Sequence, residues 1–162
     1  MTDGFDVSND GEDDDDGHSN NTVNMNIKHG IGESSNIHDS ALHSKAVTEF
    51  DNASFDDISD SVQQSYILGF DTRLSNDWAT SFDAGQSKDR LDTQGYYEDF
   101  FAPGTFISNP SLFESKRDQI RWQNNLSLRE TAQLAFGVDY INDRVDSSTT
   151  FAETERDNTG VY

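Results

Sequence analysis

The chain has 162 residues, of which 32% are hydrophobic, and its formal net charge is -20. Such a balance would give a water-soluble globule a thin core and strong self-repulsion, and an acidic surface repels nucleic acid, so no nucleic-acid partner is expected. The absence of cysteine excludes disulfides and thiolate metal sites, yet 11 Phe, 5 Tyr and 2 Trp are many for a disordered chain.

Apolar residues never run long enough for a transmembrane helix. The longest apolar stretch, at 66–70, has about five residues, whereas a helix that crosses a bilayer needs about 20. A transmembrane β-strand has a weaker requirement, because only every second side chain faces lipid. The hydropathy pattern therefore leaves membrane β-barrels open.

Two strands are predicted in the first third of the chain. Apolar side chains at Val23, Met25 and Ile27 alternate with polar ones, which is the period of a β-strand. After a short turn near 33–36, a weaker strand is predicted over 37–48.

The clearest alternation covers 62–74. Leu68 and Phe70 belong to a largely apolar face, while the residues between them form a largely polar one. Residues 75–77 predict a tight turn, and the alternation resumes at Trp78 in a further predicted strand.

The same pattern returns in the second half of the chain. Further strands are predicted at 119–128, at 133–140 and, as a beginning only, at 159–162. Short turns are predicted near 33–36, 75–77 and 129–131, and long loops near 8–20, 49–60, 89–115 and 143–157. An antiparallel meander with short turns at one end and long loops at the other is typical of outer-membrane barrels.

A soluble β-sandwich with one wet face would show the same alternation. Two features favour the barrel: the predicted strands exceed the usual five or six residues, and bulky polar groups such as Arg73 and Arg121 lie in mid-strand. We therefore predict an all-β fold, an antiparallel meander of about six to seven strands that is part of a transmembrane β-barrel. Its lipid-facing side chains should include Leu68, Phe70, Phe82, Leu126 and Phe136.

Several motifs, in the same order, resemble one family. They are the segments 2–7, 87–89, 120–125, 137–140 and 157–162. Through them nearly the whole chain resembles TonB-dependent outer-membrane receptors of the vitamin B12 (cobalamin) type. The resemblance implies a barrel of about 22 strands closed by a plug, in the cell outer membrane.

The resemblance also implies a function and partners. Such receptors bind cobalamin at the outer face and import it with energy from TonB, which contacts the plug. Residues 1–162 are then expected to be one partial barrel domain, in contact with outer-membrane lipid, without signal peptide, plug or remaining strands. The alternatives are a TonB-dependent receptor for a siderophore or another large nutrient, and a soluble calcium-binding β-sheet adhesion module.

A run of acidic residues at 12–17 includes four adjacent aspartates, whose mutual repulsion a divalent cation would relieve. Calcium takes six to eight oxygen ligands in flexible geometry, and the spacing here is not that of an EF-hand. The resemblance implies calcium ions that order the outer loops. Its implied ligands are Asp6, Glu12, Asp14, Asp16, Asp51 and Asp57. The alternative is a solvated acidic loop that binds nothing specifically.

The predicted loop at 89–115 is rich in aromatic residues. Tyr96, Tyr97, Phe100 and Phe101 could stack against a bulky ligand, or could instead pack the loop onto itself. The four histidines show no spacing of metal ligands, and neither a nucleophile motif nor a phosphate-binding loop is found. We therefore expect a protein without enzymatic activity.

Overall fold

The computed structural model describes residues 16–51, 56–129 and 131–162. These residues form seven β-strands, and no helix occurs in the ranges described. The strands are β1 (His18–Ile31), β2 (Ser35–Asp51), β3 (Asp56–Arg73), β4 (Trp78–Glu98), β5 (Phe106–Arg129), β6 (Ala132–Ser147) and β7 (Glu155–Val161). None of these residues belongs to a helix long and apolar enough to cross a membrane.

The seven strands form one antiparallel sheet in the order β1 to β7. Each strand pairs with its neighbours in sequence, and no other strand pair is in contact within the described ranges. The sheet is therefore a single layer, open along β1 and β7. The predicted all-β meander of six to seven strands is confirmed.

The strands are longer than predicted, and three predicted long loops are wrong. Much of 49–60, 89–115 and 143–157 is strand. Within 89–115, for example, β4 continues to Glu98 and β5 begins at Phe106. In these regions polar and apolar residues occur on both faces, as at Leu91 and Phe113, so the period-two signal fades although the pairing continues. Of the predicted loop 8–20, residues from His18 onward belong to β1, and 8–15 lie outside the described residues.

Cross-strand register gathers the apolar side chains onto one face. Phe70 pairs with Phe82, Phe82 with Trp122 and Trp122 with Val138, so these four side chains form one row across β3 to β6. The next row contains Leu68, Ala84, Ile120 and Tyr140. We call this side of the sheet the apolar face and the other side the polar face.

The apolar face is not covered. Leu68 is 58% exposed and Phe82 45%, Leu126 and Phe136 are half-buried on the same face, and no hydrophobic side chain among the described residues is buried. The predicted lipid-facing residues therefore share one face and do not enter a compact core. A face of this kind needs an apolar surrounding that the described residues do not provide.

The polar face carries charged groups in mid-sheet. The imidazole of His38 lies 3.3 Å from Asp71 and 3.0 Å from Asp83, each measured to a carboxylate oxygen. The ring lies over Gly69, where an added Cβ would come within 2.0 Å of His38 Nε2. Gly69 thus makes room for a side chain that links three neighbouring strands.

The surroundings of Gly137 show how closely β6 approaches β5. A Cβ at this position would lie 2.3 Å from the carbonyl oxygen of Trp122, a backbone atom that cannot turn away. We predict that Gly137→Ala destabilises the folded sheet by about 1–3 kcal/mol, in the range of overpacking substitutions. The measurement is the urea midpoint of the chain folded in detergent.

The matched control is Gly30→Ala, because a Cβ there has its nearest neighbour, the side chain of Asn36, at 3.9 Å. Gly30→Ala should leave the midpoint unchanged or raise it slightly, since alanine loses less backbone entropy than glycine on folding. Equal midpoints for the two variants would contradict the packing described.

Candidate functional site

The predicted binding residues lie at one end of the sheet, which we call the loop end. There β2 ends at Asp51, β4 ends at Glu98 and β6 ends at Ser147, and connections of seven residues follow β4 and β6. The opposite end, the turn end, has the tight connections at 32–34 and 74–77, and there β5 ends at Arg129 and β6 begins at Ala132. The predicted alternation of short and long connections therefore holds after β4 and β6, while the connection between β2 and β3 is as short as that between β3 and β4.

Three of the six predicted calcium ligands lie outside the described residues: Asp6, Glu12 and Asp14. The backbone of Asp51 ends β2, opposite Asp56 at the start of β3, while the side chain of Asp51 also lies outside the description. Of the six predicted ligands, Asp16 and Asp57 have side chains among the described residues.

Asp57 is buried at the start of β3. Its Oδ1 accepts a hydrogen bond of 3.1 Å from the backbone N–H of Tyr96 on β4. It lies against Gly95, where an added Cβ would come within 2.8 Å of Asp57 Oδ2. The carboxylate therefore fastens β3 to β4 at the loop end.

Asp16 precedes β1 beside the end of β2. The N–H of Glu49 donates to the carbonyl of Gly17 at 2.9 Å, and the N–H of Gly17 donates to Glu49 Oε2 at 3.1 Å. These bonds hold the chain next to Asp16 against β2, so Asp16, Asp51 and Asp57 belong to the ends of three consecutive strands. No group of three or more His, Asp or Glu residues that could hold a metal is found among the described residues.

The four predicted substrate-binding aromatics occupy two different places. Tyr96 and Tyr97 belong to β4 and not to a loop, because β4 pairs with β5 as far as Glu98. Phe100 and Phe101 lie at the tip of the β4–β5 hairpin, 89% and 91% exposed. Their rings meet edge to face, with centroids 5.5 Å apart.

Hydrogen bonds fix the hairpin that carries the two phenylalanines. The N–H of Asp99 donates to the carbonyl of Thr105 at 2.8 Å, and Asp99 Oδ1 accepts from the N–H of Phe101 at 2.9 Å. Gly104 has φ of 84°, a left-handed conformation that glycine adopts without strain, and its N–H donates to Glu98 Oε1 at 2.6 Å. The tip therefore presents two exposed rings on an ordered turn.

Sequence reasoning missed a network of ion pairs on the apolar side of the sheet. At the loop end, alternate positions that are apolar nearer the turn end become charged, as at Lys88, Arg90 and Asp92 on β4. Lys88 Nζ lies 2.9 Å from Glu114 Oε1, and Arg90 Nε lies 2.6 Å from Asp92 Oδ2. The signal was present in the sequence, as charges that continue the apolar alternation.

The pair of Arg90 and Asp92 is the most sharply defined of these contacts. The guanidinium donates through Nε and Nη2, at 2.6 and 3.0 Å, to the two carboxylate oxygens of Asp92. This hydrogen bonding holds the pKa of Asp92 below its ordinary value of 3.8 and raises that of Arg90. A depressed carboxyl pKa stabilises the fold above the unfolded pKa, and that contribution is lost as the pH falls through the folded value.

We predict that Arg90→Gln raises the pKa of Asp92, because the hydrogen bonds and the positive charge that favour the carboxylate are removed. The measurement is a ¹³C NMR titration of the Asp92 carboxyl carbon in the detergent-folded chain. Lys45→Gln removes the base of the separate Lys45–Asp60 pair and should leave the pKa of Asp92 unchanged. An Asp92 titration that is identical with and without Arg90 would contradict the pairing.

Comparison with known proteins gives one informative similarity. No protein-family model matches the chain, and no solved structure matches it. The chain is similar to the vitamin B12 transporter BtuB of Photobacterium profundum, with 35% identity over 83 residues. The match covers 49% of this chain but only 14% of that transporter. At this coverage the similarity supports a relationship to TonB-dependent barrels and nothing finer.

Proposed function

We propose that the chain forms part of the β-barrel of an outer-membrane transporter of the TonB-dependent type. The observation that carries this proposal is the apolar face of a single-layer sheet, exposed in rows that run across β3 to β6. A barrel in a bilayer gives such a face its apolar surrounding and gives the polar face a hydrated interior. The similarity to a vitamin B12 transporter adds support from the sequence.

The height of the apolar band agrees with a membrane. In β4 the band begins at Trp78. The row of Gln86 and Asp118, eight residues later, has the first charge on the same face of β4 to β6, and Lys88, ten residues after Trp78, is the first base. A tilted transmembrane strand crosses the hydrocarbon in about 9–11 residues. The register places the same interval between Leu126 and Lys116 in β5 and between Leu134 and Arg144 in β6.

The alternative of a soluble adhesion module has less support. A soluble sheet with one apolar face packs that face against a second layer, at about 10 Å. The described residues form one layer, and Leu68 and Phe82 remain substantially exposed. A membrane explains this exposure without a second layer.

For the parent transporter we propose cobalamin as cargo, import driven through TonB and a plug, and loops ordered by calcium. The exposed rings of Phe100 and Phe101 support a role in holding a large flat ligand. Asp16, Asp51 and Asp57, at the ends of consecutive strands, supply carboxylates of the kind that calcium prefers. Binding and transport of this kind need no covalent chemistry, so we propose no enzymatic activity.

A charge placed in the middle of the apolar band tests the membrane assignment. We predict that Ile120→Arg destabilises the chain in lipid vesicles by about 2–4 kcal/mol, the cost of an arginine at the bilayer midplane of a barrel. The measurement is the inserted fraction, by protease protection across a urea series. The matched control is Gln119→Arg, one residue away on the polar face, which should insert nearly as the unmodified chain does. Equal effects of the two substitutions would refute a lipid-facing band.

The cargo and the calcium are tested together in the full-length transporter. We predict that it binds cobalamin more tightly with calcium than without, and that Asp16→Asn and Asp57→Asn each reduce the calcium effect several-fold by removing a ligand charge. The measurement is isothermal titration with cobalamin at fixed calcium. Asp77→Asn, in the β3–β4 turn at the opposite end of the sheet, is the control and should retain the calcium effect. Binding of a siderophore in place of cobalamin would overturn the proposed cargo while leaving the barrel assignment in place.

A further inference from the structure

A concave site of about 290 Å³ lies on the polar face in mid-sheet. It spans two neighbouring register rows, and in the first of them Arg121 on β5 pairs with Asp139 on β6. In the second row Gln119 pairs with Ile141, and Ile67 of β3 belongs to the same row. The site is therefore distinct from the loop end, for which cobalamin and calcium are proposed.

The second row forms the apolar part of the site. Gly85 lies between Ile67 and Gln119, and an added Cβ at Gly85 would come within 3.1 Å of Ile67 Cγ1 and 3.4 Å of Gln119 Nε2. Ile67 and Ile141 are both half-buried, although they lie on the polar face. Two aliphatic side chains in such a position can remove an aliphatic group of a ligand from water.

The acids on the β3 side of the site are already engaged by His38. Its imidazole contacts Asp71 on β3 and Asp83 on β4. Asp83 lines the site, but its Oδ1 is directed toward His38 and lies over Gly69, on the side of β3. Among the described residues that line the site, the charges without such a partner are therefore those of the next register pair, on β5 and β6.

Arg121 and Asp139 form that pair, and they are not joined to each other. Within the described ranges neither side chain makes an ion pair or a hydrogen bond. Asp139 leans toward β7, because an added Cβ at Gly160 would come within 2.5 Å of its Oδ1, and Arg121 is exposed. The guanidinium can therefore donate two parallel N–H groups to a carboxylate, while Asp139 can accept from an ammonium group.

We propose that this site binds an α-amino acid with an aliphatic side chain. Arg121 holds its carboxylate, Asp139 holds its ammonium group, and its side chain lies against Ile67 and Ile141. Register partners on one face have Cβ atoms about 5 Å apart, which suits two charged groups attached to a single carbon. A ligand with one charge alone would leave either the guanidinium or the carboxylate unpaired. The volume is that of a site for a small molecule.

The test is a titration of L-leucine into the full chain folded in detergent, followed by the ¹³C-methyl NMR signals of Ile67 and Ile141. These signals should shift until the site is saturated. Arg121→Gln should weaken the affinity about tenfold, because charge-assisted hydrogen bonds are lost. The matched control is Arg117→Gln, on the same strand and face, whose guanidinium is bound to Asp143; this variant should keep the affinity.

A ligand without the ammonium group tests the second contact without relying on a variant. 4-Methylpentanoate should bind the unmodified chain about tenfold more weakly than leucine. Asp139→Asn should weaken the binding of leucine and should not weaken that of 4-methylpentanoate. Equal affinities for the two ligands, equal effects of the two arginine variants, or methyl signals that do not shift would each overturn the proposal. These outcomes leave the membrane assignment untouched, since the inserted fraction of Ile120→Arg tests it separately.

Discussion

The register between neighbouring strands decides which side chains share a face, and the other properties of the sheet depend on it. Because side chains alternate with period two, a slip of one residue would move every apolar group of a strand to the opposite side. The register is unbroken throughout the apolar band, where Phe82 pairs with Trp122 and Trp122 with Val138. The shift between Ser127 and Arg129 comes only where β5 approaches its turn. The result is one largely apolar face across β3 to β6 and one polar face, while on β2 Asp39 lies opposite Leu68 on the apolar side.

The same register explains why each region of the sheet has its own chemistry. In mid-sheet the polar face holds His38 between two aspartates, a contact that Gly69 makes possible by having no side chain. At the loop end both faces carry polar as well as apolar groups, and Asp57 fastens β3 to β4 through a backbone N–H. On the apolar side of β4 to β6, bases begin at the register row of Lys88, and Asp118 lies one row nearer the band. In the proposed barrel, a change of surroundings from hydrocarbon to water along each strand would account for the charges at the loop end.

The sequence predicted the strands well where one face is apolar and the other polar. The segments around Leu68, Trp78 and Leu126 were located correctly, because alternation reports a surface with two different surroundings. Around Tyr96 and Phe106 that contrast disappears, so long parts of β4 and β5 were taken for a loop. Pairing between distant residues, such as Asp57 with the backbone of Tyr96, leaves no local signal. The ion pairs at Lys88 and Arg90 were visible as charges, but their partners depend on the register.

Each described strand contacts only the strands next to it in the sequence, and this has a consequence for how the sheet folds. Every strand finds its partner next to it in the chain, so each pairing closes only a short connection, such as the tight turn before Trp78, and the entropy lost in closing it is small. The sheet can fold hairpin by hairpin, because each added strand has unpaired backbone N–H and C=O groups to which the next strand can bond. In the part of the chain described, β1 and β7 are the two edge strands, each with one unpaired edge. These two edges are also where another strand, from the same protein or from a different one, would pair.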